Sequence, residues 1–186
     1  MSLSKSRSCP IPYLPTLRNI WEKIRKPMTE KIKIGGILET TGLTMVSILS
    51  APNQPGVAGK VLMVLGKNNI NIEFITESEN LEGTADITFC FKSADRAKVR
   101  QLLAGMRGIV RARGDKWYDN IAILVVYGPH FREKPTISGK MCEQLGKYNI
   151  NIIGISTSIS SISCIVREED LDRAKDALLE AFELPE

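Results

Sequence analysis

The sequence predicts an α+β chain made of two related units, each running strand, helix, strand, strand, helix, strand. Two observations carry this. Laid over itself at an offset of 80 residues, the chain repeats from 55 to 78: Pro55, Gly59, Lys60, Leu65, Gly66, Lys67, Asn69, Ile70, Asn71, Ile72, Ile75 and Ser78 recur as Pro135, Gly139, Lys140, Leu145, Gly146, Lys147, Asn149, Ile150, Asn151, Ile152, Ile155 and Ser158. Twelve identities in 24 gapless positions mark an internal duplication. Around each copy, apolar residues then alternate between helical spacing and short β-rich runs in the same order.

The elements follow in sequence. Met45 to Leu49 and Ile121 to Val126 read as first strands. Each is followed by a Pro-containing loop and a helix, with Val57, Ala58, Val61, Leu62 and Leu65 on one apolar face and Ile137, Met141 and Leu145 on the other. Pro55 and Pro135 suit the first helical turn, where a missing N–H costs nothing. Asn69 and Asn149 are placed to end the helices. Second strands are expected over Ile70 to Thr76 and Ile150 to Ser156, and third strands over Ala85 to Phe91 and Ser161 to Val166. Ser93 is a candidate cap for a helix carrying Val99, Leu102, Leu103 and Met106, while Glu168, Glu169 and Asp170 suit the first turn of one carrying Leu171, Ala174, Leu178 and Phe182. A last strand is expected near Ile109 to Ala112.

This order is ferredoxin-like, an antiparallel four-stranded sheet with two helices on one face. Little follows Phe182, so the second unit lacks its last strand, and the unassigned apolar run Lys31 to Leu38 is expected to supply it. The division that results is a basic tail over 1–29, a completing strand over 30–38, a first unit over 39–114 nested in a second over 115–186.

Charge and composition narrow the function. Residues 1–33 hold eight Lys/Arg against Glu22 and Glu30, a net +6 in a chain whose total is +4, so the remainder is slightly acidic. A basic tail on an acidic body is not the footprint of a nucleic-acid-binding fold. No apolar run of spanning length exists, and Pro10, Pro12 and Pro15 interrupt any signal-like segment, so a soluble cytoplasmic protein with no membrane partner is expected. In the tail, Leu17, Ile20, Trp21 and Ile24 share one helical face, which fits a mobile tail with a fraying turn or, alternatively, a docking or membrane-surface peptide; Met28 is a further candidate start of translation. Cys9, Cys90, Cys142 and Cys164 have no CxxC spacing and read as thiols, the last three buried, while His130 is the only histidine, so neither a metal nor a cofactor is expected.

Among candidate chemistries, Phe89 and Phe91 lie on the third strand but Met45 to Leu49 offers no aromatic, so base stacking of the RNA-binding kind is not expected and both rings read as core. The segment Gly128 to Thr136 has a lysine without a Walker spacing of glycines. Lys33-Ile34-Gly35-Gly36 is superficially similar to the phosphate-binding start of amino-acid kinases, but Ile37-Leu38 replaces the small hydroxyl residues, and the stretch reads as strand. The informative segment is the loop from Ser50 to Ala58. Free N–H groups at a helix start attract a carboxylate, Gly56 lets a ligand approach the backbone, and Asn53 adds an adaptable side chain.

Asn53-x-Pro55-Gly56-x-Ala58, Asn69-Ile70-Asn71-Ile72, Thr84-Ala85-Asp86-Ile87-Thr88-Phe89, and Ile155-Ser156-Thr157-Ser158 with Ile162-Ser163-Cys164-Ile165-Val166 resemble the tandem ACT regulatory region of aspartate kinases, from about Lys31 to Leu184. The resemblance implies nested units, paired chains with joint sheets, and threonine or lysine bound where the first unit of one chain meets the second unit of the other. Carried over by position, the ligand-binding residues it implies are Asn53, Gln54, Gly56, Val57, Ala58, Glu77, Ser138, Asn151, Ile152 and Ser158. Ser138 replaces a threonine, and Glu77 replaces a glutamine. Asn53 and Ile159 stand where the lysine-binding pattern has carboxylates, and an ammonium left without one forfeits a charge-assisted bond worth roughly 1.5–3 kcal/mol. The resemblance thus favours a threonine-like ligand over lysine, unless Glu77 supplies the charge. Thr136 stands where the family prefers glycine, so close backbone approach is not expected at the second loop. The expected function is a non-catalytic, homodimeric amino-acid sensor; the alternatives are a regulatory subunit acting on a separate catalytic aspartate kinase chain, and a ligand-free dimerisation module. No nucleophile–base pair speaks for an enzyme.

Overall fold

The computed structural model describes residues 31–129, 131 and 136–185. The tail over 1–29, Met28, His130 and the Pro135 loop position lie outside them. From Ile32 onward the chain is one unit by its contacts. Its elements are β1 (Ile32–Lys33), β2 (Gly36–Pro52), α1 (Val57–Lys67), β3 (Phe74–Glu79), β4 (Thr84–Lys92), α2 (Arg96–Val110), β5 (Gly114–Tyr127), α3 (Ile137–Lys147), β6 (Gly154–Thr157), β7 (Ser161–Arg167), α4 (Leu171–Ala181) and β8 (Phe182–Glu183).

A six-stranded antiparallel sheet runs in the order β3-β4-β2-β5-β7-β6, beside a parallel pair of β1 with β8. The two ferredoxin-like units share it because β2 and β5 are each long enough to serve both. The C-terminal half of β2 pairs with β4, Met45 opposite Cys90 and Ile48 opposite Ile87, and with the start of β5, Ile48 opposite Asp115. The N-terminal half of β2, Gly36 to Thr40, lies opposite Tyr127 to Ile123, where β5 has become the first strand of the second unit and pairs onward with β7. Of the run Lys31 to Leu38 expected to complete the second unit, Ile32–Lys33 form β1 against β8, and only from Gly36 does the chain join β5, in a strand that continues without a break into the first unit's own first strand. The change-over is marked by register shifts around Leu43, with Gly42 at φ +66° and Asn120 at φ +53°. These left-handed residues kink the paired strands so that each half can follow its own unit.

The repeated Leu-Gly-Lys-x-Asn-Ile motif is a helix stop. Asn69 and Asn149 adopt φ of 57° and 54°. Ile70 N–H donates to the Leu65 carbonyl and Asn69 N–H to that of Gly66, each at 3.0 Å, and Ile150 and Asn149 repeat both bonds to Leu145 and Gly146. This is the Schellman closure, completed by burial of Ile70 with Leu65 and of Ile150 with Leu145.

Three apolar clusters hold the sheet. Val46, Ile87, Phe89 and Phe91 pack under α1 and α2, which bring Val61, Leu65, Val99 and Met106. Leu124, Val126, Ile162 and Val166 pack under α3 and α4, which bring Met141, Leu145, Ala174 and Leu178. The third cluster joins the helix-free sides of both units: Leu43, Met45, Phe74 and Cys90 of the first meet Ile121, Ile123 and Ile165 of the second. Residues of both outermost strands, Phe74 and Thr76 of β3 with Gly154 and Ile155 of β6, line one cavity on this side. Cys90 and Cys164 are buried in these clusters, and burial pushes both thiols up to about 12.

The structure corrects several expected elements. The first strands are not short runs at Met45–Leu49 and Ile121–Val126 but segments of strands 17 and 14 residues long. The second strands begin at Phe74 and Gly154; Ile70 to Glu73 and Ile150 to Ile153 are connecting loop, in which Ile70 and Ile150 are buried as part of the helix stop. Ile109–Val110 is still helix, stopped by Arg111 at φ +49°, and the fourth strand starts only at Gly114. Pro55 precedes the first turn of α1. Ser93 does not cap α2; it opens a 3₁₀ turn, and its hydroxyl hydrogen-bonds that of Thr44 at 3.0 Å. Phe182 is buried but belongs to β8, not to α4.

Candidate functional site

The first-unit loop is built as its sequence suggests. β2 ends at Pro52, Gln54 N–H turns back to the Pro52 carbonyl at 2.9 Å, and Gly56 takes φ +89°, which the absence of Cβ permits. Asn53, Gln54, Pro55 and Gly56 are exposed, Val57 is buried as the first core residue of α1, and Ala58 is half-buried. Val57 N–H is engaged by the Gln54 carbonyl and Lys60 N–H by that of Gly56. The N–H groups of Ala58 and Gly59 between them have no acceptor among the described residues, which leaves two donors and the positive end of the helix open to an anion. A Cβ at Gly56 would meet nothing within 4 Å, so the space before this turn is open.

Glu77 lies exposed on the edge strand β3, opposite Ile87. Its neighbour Glu79 pairs with Ala85, which in turn lies opposite Ala51, so the acidic end of β3 and the Gly56 loop occupy the same end of the first unit. A supporting network shapes that end: Ser50, at φ +54° in a β-bulge, donates its N–H to Asp86 Oδ1 at 2.7 Å, and Asn80 Nδ2 donates to the same oxygen at 3.3 Å.

In the second unit Ser138 is half-buried in the first turn of α3, whose preceding residue Thr136 has φ −83° and not the left-handed turn of Gly56. Asn151 is exposed and Ile152 half-buried on the loop between α3 and β6, and both line a cleft of about 290 Å³. Ser158 is committed to the β6–β7 turn: its N–H donates to the Ser161 carbonyl at 2.7 Å and its Oγ accepts from Ser161 N–H at 3.1 Å. The structure thus groups Asn53 to Ala58 with Glu77 at one end of the first unit, and Asn151 with Ile152 in a cleft of the second. Arg167 and Asp170 share that cleft and were not singled out as ligand-binding by sequence; the charges after β7 read there only as the start of a helix. No helix among the described residues is long and apolar enough to cross a membrane.

Comparison with known proteins places this architecture. Two family models, both described as ACT domain, match residues 44–104 and 124–182. The aspartokinase of Corynebacterium efficiens is 31% identical over 160 residues, which are 85% of this chain and 38% of that protein. An aspartate kinase of Stutzerimonas stutzeri is 33% identical over 151 residues, 81% of this chain and 37% of the relative. The chain therefore spans less than two-fifths of the length of these curated relatives. Among solved structures, the ligand-free regulatory subunit of aspartate kinase from Thermus thermophilus shares the fold with a TM-score of 0.73 at 23% identity, over 81% of this chain and 99% of that one. Aspartate kinase from Synechocystis does so at 0.76 and 23%, over 82% and 28%. With two ACT matches that divide the sheet as the nested units do, this chain belongs to the ACT-domain proteins, as a tandem similar to the regulatory region of aspartokinases.

Proposed function

We propose that this chain is a non-catalytic amino-acid sensor, which binds a small amino acid such as threonine at a seam between two copies and regulates a partner through the change in that seam. The observation that carries the reading is the left-handed turn at Gly56, which leaves the Ala58 and Gly59 amides without acceptors among the described residues, at the head of α1. A ligand carboxylate would lie on these donors, as anions do at helix starts. Its ammonium would approach Glu77 or the Asn151 carbonyl, with Asn53, Gln54, Ser138 and Ile152 around it. The two groups lie in different units, and a neighbouring copy brings them together if the first unit of one chain faces the second unit of the other. A ligand shared across such a seam favours one arrangement of the pair, with coupling of about 1–3 kcal/mol in typical cases.

Likeness to a protein described as a regulatory subunit of aspartate kinase, nearly end to end, favours a second reading in which the regulated partner is a separate catalytic chain of that kind. Calorimetry of the full chain against all twenty amino acids tests the first reading: saturable heat with one of them is expected, and silence from all rejects sensing in favour of a plain dimerisation module. Purification from the native cell tests the second, for which a catalytic chain must accompany this one.

A further inference from the structure

The corner between the second helix of a unit and its fourth strand is filled in one unit and open in the other. α2 and α4 start at Arg96 and Leu171, so Leu103 and Arg107 stand as far along the chain from the helix start as Leu178 and Phe182. The strands correspond too. Ile48 lies opposite Ile87 and Asp115 as Val126 lies opposite Ile162 and Ile37. Arg113 N–H donates to the Leu49 carbonyl at 3.0 Å, as Gly35 N–H donates to that of Tyr127 at 2.7 Å. In this register Ala112 is the counterpart of Ile34, and Asp115 that of Ile37. In the second unit Ile34, Val126, Leu178 and Phe182 are buried together, with Ile37 packed against them. In the first unit the same five places carry Ala112, Ile48, Leu103, Arg107 and Asp115, and these residues line a cavity of about 300 Å³.

An arginine in place of a phenylalanine and an alanine in place of an isoleucine leave room for about one ring and set a cation beside it. Ile48 and Val110 are the buried floor of the cavity, and Leu103 and Ala112 are half-buried walls. Arg107 is exposed and has no ion-pair partner among the described residues. A smaller cavity continues the first past Leu103, Arg107 and Asp115 to Arg100 and Trp117, where the Arg100 guanidinium lies 5.1 Å from the indole centre. Other charges are already engaged: Arg113 pairs with Glu82 at 2.5 Å, and Trp117 Nε1 donates to Asp115 Oδ2. That sets Arg100 and Arg107 against Asp115 and the roughly half negative charge of the helix end, a small cationic surplus. It suits one negative charge, not a polyphosphate, and the volume is at the low end of small-molecule sites.

We infer that this corner of the first unit binds a small monocarboxylate with a ring-bearing apolar body. The carboxylate pairs with Arg107, and the ring rests on Ile48, Leu103 and Ala112 in the space that Phe182 and Ile34 fill in the second unit. The site uses neither the Gly56 loop nor a second copy and calls for no ammonium. Trp117 borders it, so its emission reports occupancy in the full chain carrying Trp21→Phe. Phenylacetate is expected to change that emission saturably and to raise the melting temperature. Benzyl alcohol, a ring without the charge, and acetate, the charge without a ring, are each expected to bind about tenfold more weakly or less. Arg107→Gln should weaken phenylacetate about tenfold, because a charge-assisted bond is lost. Ala112→Ile, which restores the second unit's side chain, should abolish binding, while Glu77→Gln should leave it unchanged. Arg107 is exposed, so its variant carries the test should circular dichroism show that Ala112→Ile does not fold. No saturable response to phenylacetate or cyclohexanecarboxylate, or Arg107→Gln titrating like the parent, overturns the site. Amino-acid calorimetry on the same protein keeps the readings apart: heat there with no response here overturns this corner alone, and the reverse overturns amino-acid sensing alone.

Discussion

The second helices of the two units occupy equivalent places and carry opposite charge. Residues 93–111 hold Arg96, Lys98, Arg100, Arg107 and Arg111 against Asp95 alone, whereas residues 168–181 hold Glu168, Glu169, Asp170, Asp172, Asp176 and Glu180 against Arg173 and Lys175. Each helix nevertheless makes the same two ties. Arg96 forks onto Asp119 at 2.6 and 2.9 Å, and Lys175 reaches Glu39 at 2.8 Å, two carboxylates that stand eighty residues apart on the strands shared between units. Lys98 Nζ donates to the Asn68 carbonyl at the end of α1, as Arg173 does to Tyr148 at the end of α3. The comparison teaches which features the duplicated fold holds fixed: helix stops, shared strands and these basic ties remain, while the exposed charge between them is free to diverge.

Alike and unlike parts can be told apart by experiment. The largest effect tests whether the units are energetically one. Phe89 is fully buried in the first unit, and Phe89→Ala should cost about 3–5 kcal/mol in urea denaturation. Because β2 and β5 belong to both units, fluorescence of Trp117 and circular dichroism should report one shared transition; separate transitions for the two halves would break the picture. Next, Asn69→Ala and Asn149→Ala each place a Cβ-bearing residue without the asparagine preference in a left-handed helix stop, and each should lose roughly 1–2 kcal/mol, equal within error because the closures are equal. The first-turn pair should then diverge: Gly56→Ala, at φ +89°, should cost about 1 kcal/mol and weaken any ligand at that loop, while Thr136→Gly, where the backbone is ordinary, should change stability by a few tenths.

The smallest effect is electrostatic. The Arg96 guanidinium beside Asp119 holds its carboxyl below the usual carboxylate range, helped by the Thr44 hydroxyl. The stabilisation is present above the ordinary aspartate pKa and is lost as pH falls through the lowered one. Asp119→Asn should therefore flatten the acid limb of the stability profile, by less than about 1 kcal/mol because the pair is largely solvated.

How much of this was legible follows from the same physics. The repeat and its helix stops were readable because asparagine at a left-handed position and isoleucine after it are local requirements. Lys31 to Leu38 was readable as one apolar run without a partner, but not its division between β1 and β2 at Ile34-Gly35. The length of β2 and β5 was not, since Thr40-Thr41-Gly42 breaks the apolar pattern where the strand kinks without ending. Ile70-Asn71-Ile72 alternates like a strand, yet Ile70 is buried and Ile72 half-buried because the chain folds back over the helix end. At the candidate site, glycine announced the Gly56 turn, whereas Arg167 and Asp170 reach a common cleft only through the pairing of β7 with β5 and the Arg173 ties, neither of which leaves a mark in local sequence.

The shared strands also set an order of assembly on the ribosome. Gly36 to Thr40 emerges early but has its ladder partner only once Tyr127 has been synthesised, with the whole first unit in between. Until then this stretch is an unpaired edge of apolar residues, including Ile37 and Leu38, open to wrong neighbours. A gene fragment cut between the units would leave it so permanently, which makes the duplication, once made, hard to undo.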